Sequence, residues 1–496
     1  MDKEVSNGVR LIQLIKSLDS YHTDSNLKDF EVRGISCDSK LVGENFIFVA
    51  IRGIDEDGHN FIEEAIARGA EAVLIQYQVS GIRYQDKINL IKVEDTRRAL
   101  ARLAAEFYGN PSSKIKVVGI TGTNGKTTVT YLIEAILKEA NFNPAVIGTI
   151  NYRFKDKVLS AKNTTPGPLE LHCILSEMLK GGLDYAIMEV SSHALDQHRT
   201  EGINFYSAIF TNLTPEHLDY HKTLENYFQA KLKLFKNIGL NSFVIINNDD
   251  EYGRILKGLT PAEVITYGVE NQADVMAGEI KFDIWHTEFL LTTIKGQTNF
   301  RTSLIGRHNV YNILAAVSWA LREGLELPTI KSAIEKFSYV PGRLERVDAP
   351  LDFLIFLDYA HTEDALKNVI STLRQLASGR IIVVFGCGGQ RDKTKRPKMG
   401  YVVSELADYA IITTDNPRSE DPEAIIEDIK KGIKKENFCV MLEREEAIRK
   451  SLSLAKSGDI ILVAGKGHED YQILKDRVIP FADRRVIEKC LKSMSY

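Results

Sequence analysis

Cysteine is scarce in this chain: Cys37, Cys173, Cys387, Cys439 and Cys490 are five residues spread over 496. The number is odd, and the spacings match neither a disulfide framework nor a metal-ligand pattern, so a reducing, cytoplasmic setting is expected. An excess of one charge is missing too. Lys and Arg total 63 against 67 Asp and Glu, a net charge of −4, so no basic field exists to hold nucleic acid or an anionic membrane. Long apolar runs are absent: the segment IIVVF at 381–385 is far short of a bilayer span. The opening MDKEVSNGVR contains acids and no apolar stretch, so no secretory signal is expected there. No internal repeat or low-complexity tract occurs, and 44% hydrophobic with 26% charged residues is an ordinary globular composition.

What the chain does have is alternation. Short β-branched runs and helical-period segments succeed one another for most of the length, which predicts an α/β protein of about three domains with parallel sheets. The first unit is expected over 1–98. The segment DTRRALARLAAEFYG (95–109) leads into the second unit, 99–341, which opens on the strand KIKVVGI (114–120). Between about 272 and 305 the pattern turns to polar/apolar alternation without helices, predicting an antiparallel appendage to the central sheet. VPGRLERV (340–347) marks the second boundary, and 342–496 restarts the α/β pattern.

The strongest local signal is VVGITGTNGKTTVTYLIEAIL (117–137), a strand, a Gly-rich turn and an amphipathic helix. Backbone N–H groups of such a turn, with the helix N-terminus, cradle phosphates. Gly122, Thr123, Asn124, Gly125, Lys126, Thr127 and Thr128 form the candidate phosphate loop. Lys126 is placed to reach the β/γ-phosphates and the Thr127 hydroxyl to bind Mg²⁺. The generic pattern asks for glycine where Ile120 stands. Glu189 ends the apolar strand YAIMEV, where α/β sheets carry their sites. By themselves, Glu189 reads better as a solvated strand end, His217 as a helix cap and Lys231 as a snorkelling surface lysine.

TGTNGKTT (121–128) resembles the ATP loop of the Mur ligases and their folylpolyglutamate synthetase relatives. NTTP (163–166), EVSSHALDQHR (189–199), NLTPEHLDYH (212–221), NYFQAKLKLF (226–235), HNVYNILAA (308–316), PGRLERV (341–347), DYAHT (358–362), CGGQRDKTKRP (387–397), DNPRSEDP (415–422) and GKGHEDYQ (465–472) follow in that family's order. The resemblance implies a three-domain architecture: a uridine-substrate domain, a central P-loop ATPase-type parallel sheet, and a Rossmann-like domain for the incoming amino acid. It implies ATP-dependent addition of meso-diaminopimelate to UDP-N-acetylmuramoyl-L-alanyl-D-glutamate through an acyl phosphate, in peptidoglycan precursor synthesis. Implied metal ligands are Thr127, Glu189, His217 and a Lys231 carbamylated by CO₂, holding two Mg²⁺. Asn309, with Asn312 one helical turn on, is implied at adenine. Ser39, Asn163, Thr164, Thr165, Ser191, Gln197 and Arg199 are implied at the UDP substrate. Arg391, Asp415, Asn416, Pro417, Arg418, Gly465 and Glu469 are implied at the amino acid, with Arg418 on the carboxylate that lysine lacks. Within CDSK (37–40) a Lys stands where the family has Arg, and Gln390 replaces the usual acid before Arg391.

Two other readings compete. A lysine-adding or folate-adding relative shares the loop, but folate ligases have no DNPR run and no use for a uridine domain. A P-loop switch or motor is a different class; a GTPase needs Asn-Lys-x-Asp, and no such run occurs. The expected partners are small molecules only, acting on a monomer.

Overall fold

The computed structural model describes residues 8–23, 26–53, 56–77 and 88–494; most of the N-terminal decapeptide therefore lies outside the described residues. No helix among the described residues is long and apolar enough to cross a membrane.

Three large sheets follow one another along the chain, with a two-stranded ribbon of Tyr471–Ile473 and Val478–Pro480 near its end. The first has five strands in the order His22–Thr23, Asn89–Val93, Ala70–Gln76, Phe46–Val49 and Gly34–Ser36, parallel except for the first pair. Helix Thr96–Phe107, capped by the Asp95 carboxylate on the Arg97 and Arg98 amides, buries Ala99, Leu100, Leu103 and Phe107 in the first core. The expected boundary at 98/99 falls inside this helix. The helix is continuous because its apolar stripe packs as one face on the first sheet; it also contacts helix Pro168–Lys180 of the central unit.

The central sheet has eleven strands. Its parallel heart runs Glu263–Gly268, Phe243–Asn247, Phe205–Phe210, Lys116–Thr121, Tyr185–Glu189 and Pro144–Ile147. These strands read as continuous apolar runs because both faces are covered. Helices Lys126–Glu139 and Arg307–Arg322 bury one face, and helices Pro168–Lys180 and Leu224–Lys236 bury the other. At one edge Val275–Phe282, Thr287–Thr293 and Gly296–Thr302 form the antiparallel extension expected from the alternation at 272–305. From Lys116–Thr121 the chain winds first to one side and then crosses to Phe205–Phe210 on the other. That reversal opens a crevice at the carboxyl ends of Thr121, Glu189 and Phe210, the place where such sheets carry ligands.

Past the bridge between Val340 and Arg343, a third sheet orders Glu345–Arg346, Leu354–Asp358, Ile460–Ala464, Ile381–Phe385, Tyr409–Ile412 and Phe438–Val440, parallel after its first pair. Apolar cores cover both faces. The loops after Asp358, Phe385, Ile412 and Ala464 line the central crevice. Asp364, at the start of helix Glu363–Leu376, accepts from the Asn124 side chain at 3.0 Å, and Arg343, ahead of this sheet, donates to Thr127 Oγ1 at 3.1 Å.

Candidate active site

The Gly-rich turn is built by its neighbours as much as by itself. Gly125 precedes helix Lys126–Glu139 with φ 89°, and a Cβ there would lie 2.3 Å from Asn312 Oδ1. A side chain is therefore excluded both by conformation and by contact. The Asn124 amide donates to Asn212 Oδ1 at 2.9 Å, and Thr211 Oγ1 donates to the Asn124 carbonyl at 2.6 Å. Thr123, Asn124, Gly125, Lys126, Thr127 and Thr128 line a cavity of about 520 Å³.

Glu189 is almost fully buried and held by three donors. Thr127 Oγ1 donates to it at 3.0 Å, Thr149 Oγ1 at 2.8 Å and the Thr149 amide at 2.9 Å. Lys231 is no surface lysine: it is 1% exposed, lies over the Tyr227 ring and donates to the Gly122 carbonyl at 2.9 Å. Burial first, and Lys126 second, hold its pKa well below the usual lysine range. Lys126 also turns back, donating to the Gly122 and Thr123 carbonyls at 2.8 and 2.9 Å, and burial lowers its pKa as well. Lys233, two residues on, points outward to Asp196.

His217 sits in a left-handed conformation, φ 56°, at the head of the short helix Leu218–His221. Burial takes its pKa down to about 4. Glu216 lies 3.8 Å from both His217 and His361. Burial alone would raise its pKa, but those two rings with Lys126 and Lys231 outweigh that and lower it. Among the described residues no group of three or more His, Cys, Asp or Glu side chains forms a metal cage. The hydroxyl of Thr127 and the carboxylate of Glu189 are nevertheless hard oxygen donors of the kind Mg²⁺ takes in ones and twos beside phosphate oxygens and water.

Asn309 and Asn312 face the turn together. Asn312 Nδ2 donates to Asn309 Oδ1 at 3.1 Å, and Asn309 Nδ2 to the Ile305 carbonyl. Asn309 lies inside helix Arg307–Arg322, whose N-cap is Gly306, so capping is not its role.

Asn163, Thr164, Ser191 and Arg199 line the same cavity. Thr165 and Gln197 stand behind them. Thr165 Oγ1 donates to the Glu189 carbonyl at 2.8 Å and accepts from the Ser191 amide, while Gln197 Oε1 accepts from Arg199 Nη2 at 2.7 Å. Ser39 is not brought to either cavity. It is buried and donates to Glu64 Oε2 at 2.8 Å, because its short 3-10 turn packs on helix Ile62–Ala67.

An adjoining cavity of about 990 Å³ brings Arg391, Asp415, Asn416, Arg418, Gly465 and Glu469 together, while Pro417 does not line it. Arg418, itself at φ 55°, donates to the Gly389 carbonyl at 2.8 Å. Burial and then the nearby Arg391 lower its pKa, while Asp415 and Glu469 pull it the other way, so two guanidiniums converge here beside two acids. Gly465 adopts φ 112°, a conformation that side chains rarely take, and a Cβ there would press on Asp415 Oδ2 at 2.9 Å. Gln390 has a backbone role: its amide donates to Glu420, which in turn pairs with the buried Arg396.

Sequence reasoning missed Thr149, Glu216, Arg343, His361 and Lys466. Thr149 follows the parallel strand Pro144–Ile147, a position that signals site proximity in such sheets. The other four lay inside motifs already marked, with no local feature to single them out.

Models of three families match in succession: "Mur ligase family, catalytic domain" at 31–108, "Mur ligase middle domain" at 120–320 and "Mur ligase, glutamate ligase domain" at 342–467. The chain is 44% identical over 483 residues to the UDP-N-acetylmuramoyl-L-alanyl-D-glutamate--2,6-diaminopimelate ligase of Clostridium botulinum, covering 97% of this chain and 99% of that protein. It is 46% identical over 466 residues to the protein of the same name from Aquifex aeolicus, covering 93% and 94%. A solved structure of a ligase with that name is 30% identical with a TM-score of 0.69, covering 98% and 99%. Folylpolyglutamate synthase of Mycobacterium tuberculosis shares the fold at 16% identity and a TM-score of 0.63, over 74% of this chain and 92% of that one. With a full-length match at this identity and a phosphate loop facing a two-arginine cradle across one crevice, the chain belongs to the Mur ligase family.

Proposed function

We propose that this chain is an ATP-dependent ligase that joins meso-diaminopimelate to the D-glutamyl carboxylate of UDP-N-acetylmuramoyl-L-alanyl-D-glutamate, releasing ADP and phosphate in peptidoglycan precursor synthesis. One observation carries the reading. The phosphate loop, the polar wall at Asn163–Arg199 and the cradle at Arg391–Glu469 open onto two cavities that share Thr149, Asn163, Thr164, Glu216, His217 and Arg391. The names of the relatives agree with it. All three substrate regions lie within one chain, which suits a monomer, and the reaction belongs in the cytoplasm.

A carboxylate resists attack by an amine, so activation comes first. The γ-phosphoryl group passes from ATP to a carboxylate oxygen; the amine nitrogen then attacks the acyl carbon, and the tetrahedral intermediate expels inorganic phosphate and loses a proton. Lys126 leaves the Gly122 carbonyl to meet the β/γ-phosphates, and Arg343, anchored at Thr127, adds a second cation from the last domain. Such fixed cations stabilise the charge that builds where phosphate meets carboxylate. Thr127 and Glu189 would hold one Mg²⁺; His217 and a carbamylated Lys231 would hold another, and the ions supply charge neutralisation when bound. Lys231 suits carbamylation because only a neutral amine adds CO₂, and its depressed pKa favours that form. Arg199 orients a substrate anion, Asn309 stands by adenine, and Arg391 with Arg418 grips the carboxylates of the amino acid. Ser39 enters only if the uridine loop rearranges around Glu64.

The test is phosphate release from ATP with the UDP-dipeptide and single amino acids. Release that requires both the UDP-dipeptide and diaminopimelate is expected. Release without either acceptor would favour a nucleotide switch, and equal use of lysine would overturn the diaminopimelate assignment.

A further inference from the structure

The cradle loops have one residue at their centre that the proposed chemistry does not use. Lys466 is 0% exposed, buried beneath the loop that carries Gly465 and Glu469. Its ammonium donates to Asn416 Oδ1 and to Glu469 Oε2, both at 3.1 Å, and lies 3.6 Å from Asp415 Oδ1. Asn416 Nδ2 donates to the same Glu469 oxygen at 2.9 Å. Asn416 Oδ1 also accepts from the Ile473 amide, and Gln472 donates to the Asp415 carbonyl. One buried cation thus ties together three residues assigned to the amino acid, from two separate loops.

We infer that Lys466 is a positioning residue that sets the charge of the amino-acid cradle, and through it the preference for a substrate end bearing both an ammonium and a carboxylate. The inference rests on the proposed ligase reading. A buried ammonium needs anionic partners, and here it spends its charge on the Asp415–Glu469 pair. The cradle then presents Arg391 and Arg418 against acids that are already partly neutralised, a balance suited to a distal end that is itself a zwitterion. Without Lys466 the same walls gain one negative charge. That change disfavours a carboxylate and favours a lone ammonium, the end that lysine carries. Lys466 also holds Glu469 in one rotamer, since its hydrogen bond and that of Asn416 converge on a single oxygen.

The experiment compares wild type, Lys466→Met and Lys466→Gln for phosphate release with diaminopimelate and with L-lysine, varying each substrate in turn. Lys466→Gln keeps a hydrogen bond to Asn416 without the charge, and it alone decides the question if the Met variant does not fold. The expected result is a rise of at least thirtyfold in KM for diaminopimelate, KM for ATP within about threefold of wild type, and a diaminopimelate-to-lysine ratio in kcat/KM at least tenfold lower. An unchanged ratio would overturn the inference, as would equal losses toward ATP and diaminopimelate, which would mark Lys466 as a structural prop. If wild type itself fails to prefer diaminopimelate, the ligase specificity is wrong; if wild type prefers it and Lys466→Gln keeps that preference, only the role of Lys466 is wrong.

Discussion

Lys126 and Lys231 aim their ammonium groups at the same carbonyl oxygen, that of Gly122, at 2.8 and 2.9 Å. Burial is the first cause that lowers the pKa of each, and at Lys231 the nearby charge of Lys126 adds to it. The arrangement favours a neutral amine at Lys231, while Lys126 donates to the Gly122 and Thr123 carbonyls of the turn where phosphate would bind.

Lys231→Ala is therefore expected to lose nearly all ligation, with partial recovery in small carboxylates such as acetate that replace the missing anion. Steady-state phosphate release with and without acetate checks it, and ¹³C-bicarbonate labelling of the wild type should give a carbamate signal. Full activity of the unrescued variant would mark Lys231 as a packing residue.

Gly148→Ala probes the Glu189 carboxylate without touching it chemically. The added Cβ would lie 2.4 Å from Glu189 Oε1, so the carboxylate has to move. Misplacing a positioned group by about 1 Å can cost on the order of 100-fold in rate. A fall of that size in kcat is expected, with a thermal midpoint close to wild type.

Arg418→Ala should lower kcat/KM for diaminopimelate by about 10³-fold while leaving lysine use little changed, because a site built around a charged hydrogen bond discriminates strongly against an analogue lacking the partner. Parallel assays with both amino acids read it. Equal losses for both would show that Arg418 holds the 389–416 loops rather than the substrate.

His172 predicts an acid-sensitive fold. It is fully buried, with no hydrogen-bond partner for Nδ1 among the described residues, and burial takes its pKa from 6.5 to about 4. The unfolded chain binds this proton more readily, so the stability contribution is complete above pH 6.5 and is lost as pH falls from 6.5 toward 4. A shift of this size is worth about 3 kcal/mol. Denaturant unfolding at pH 7.5 and 4.5 should show a smaller drop for His172→Gln, which cannot titrate, than for wild type.

Much of this protein is local and so was legible in the residues alone. Alternating apolar runs and helical periods specify parallel α/β units, and the strand-turn-helix at 117–137 needs only neighbouring residues to make its anion cradle, since backbone amides and a helix N-terminus do the work. The ends of parallel strands marked Glu189 for the same reason. What only the tertiary structure decided is contact across distance. Burial turned Lys231 from a candidate surface lysine into a desolvated amine, because helix Leu224–Lys236 lays that face against the phosphate loop. Closure of the last domain brought Arg343 to Thr127 and His361 toward Glu216, and packing drew Ser39 toward Glu64. Lys466 looked like one more lysine in a Gly-rich run until folding set it between Asn416 and Glu469. Charge, desolvation and partner choice depend on which chain segments meet, and residues fifty or two hundred positions apart carry no local trace of that meeting.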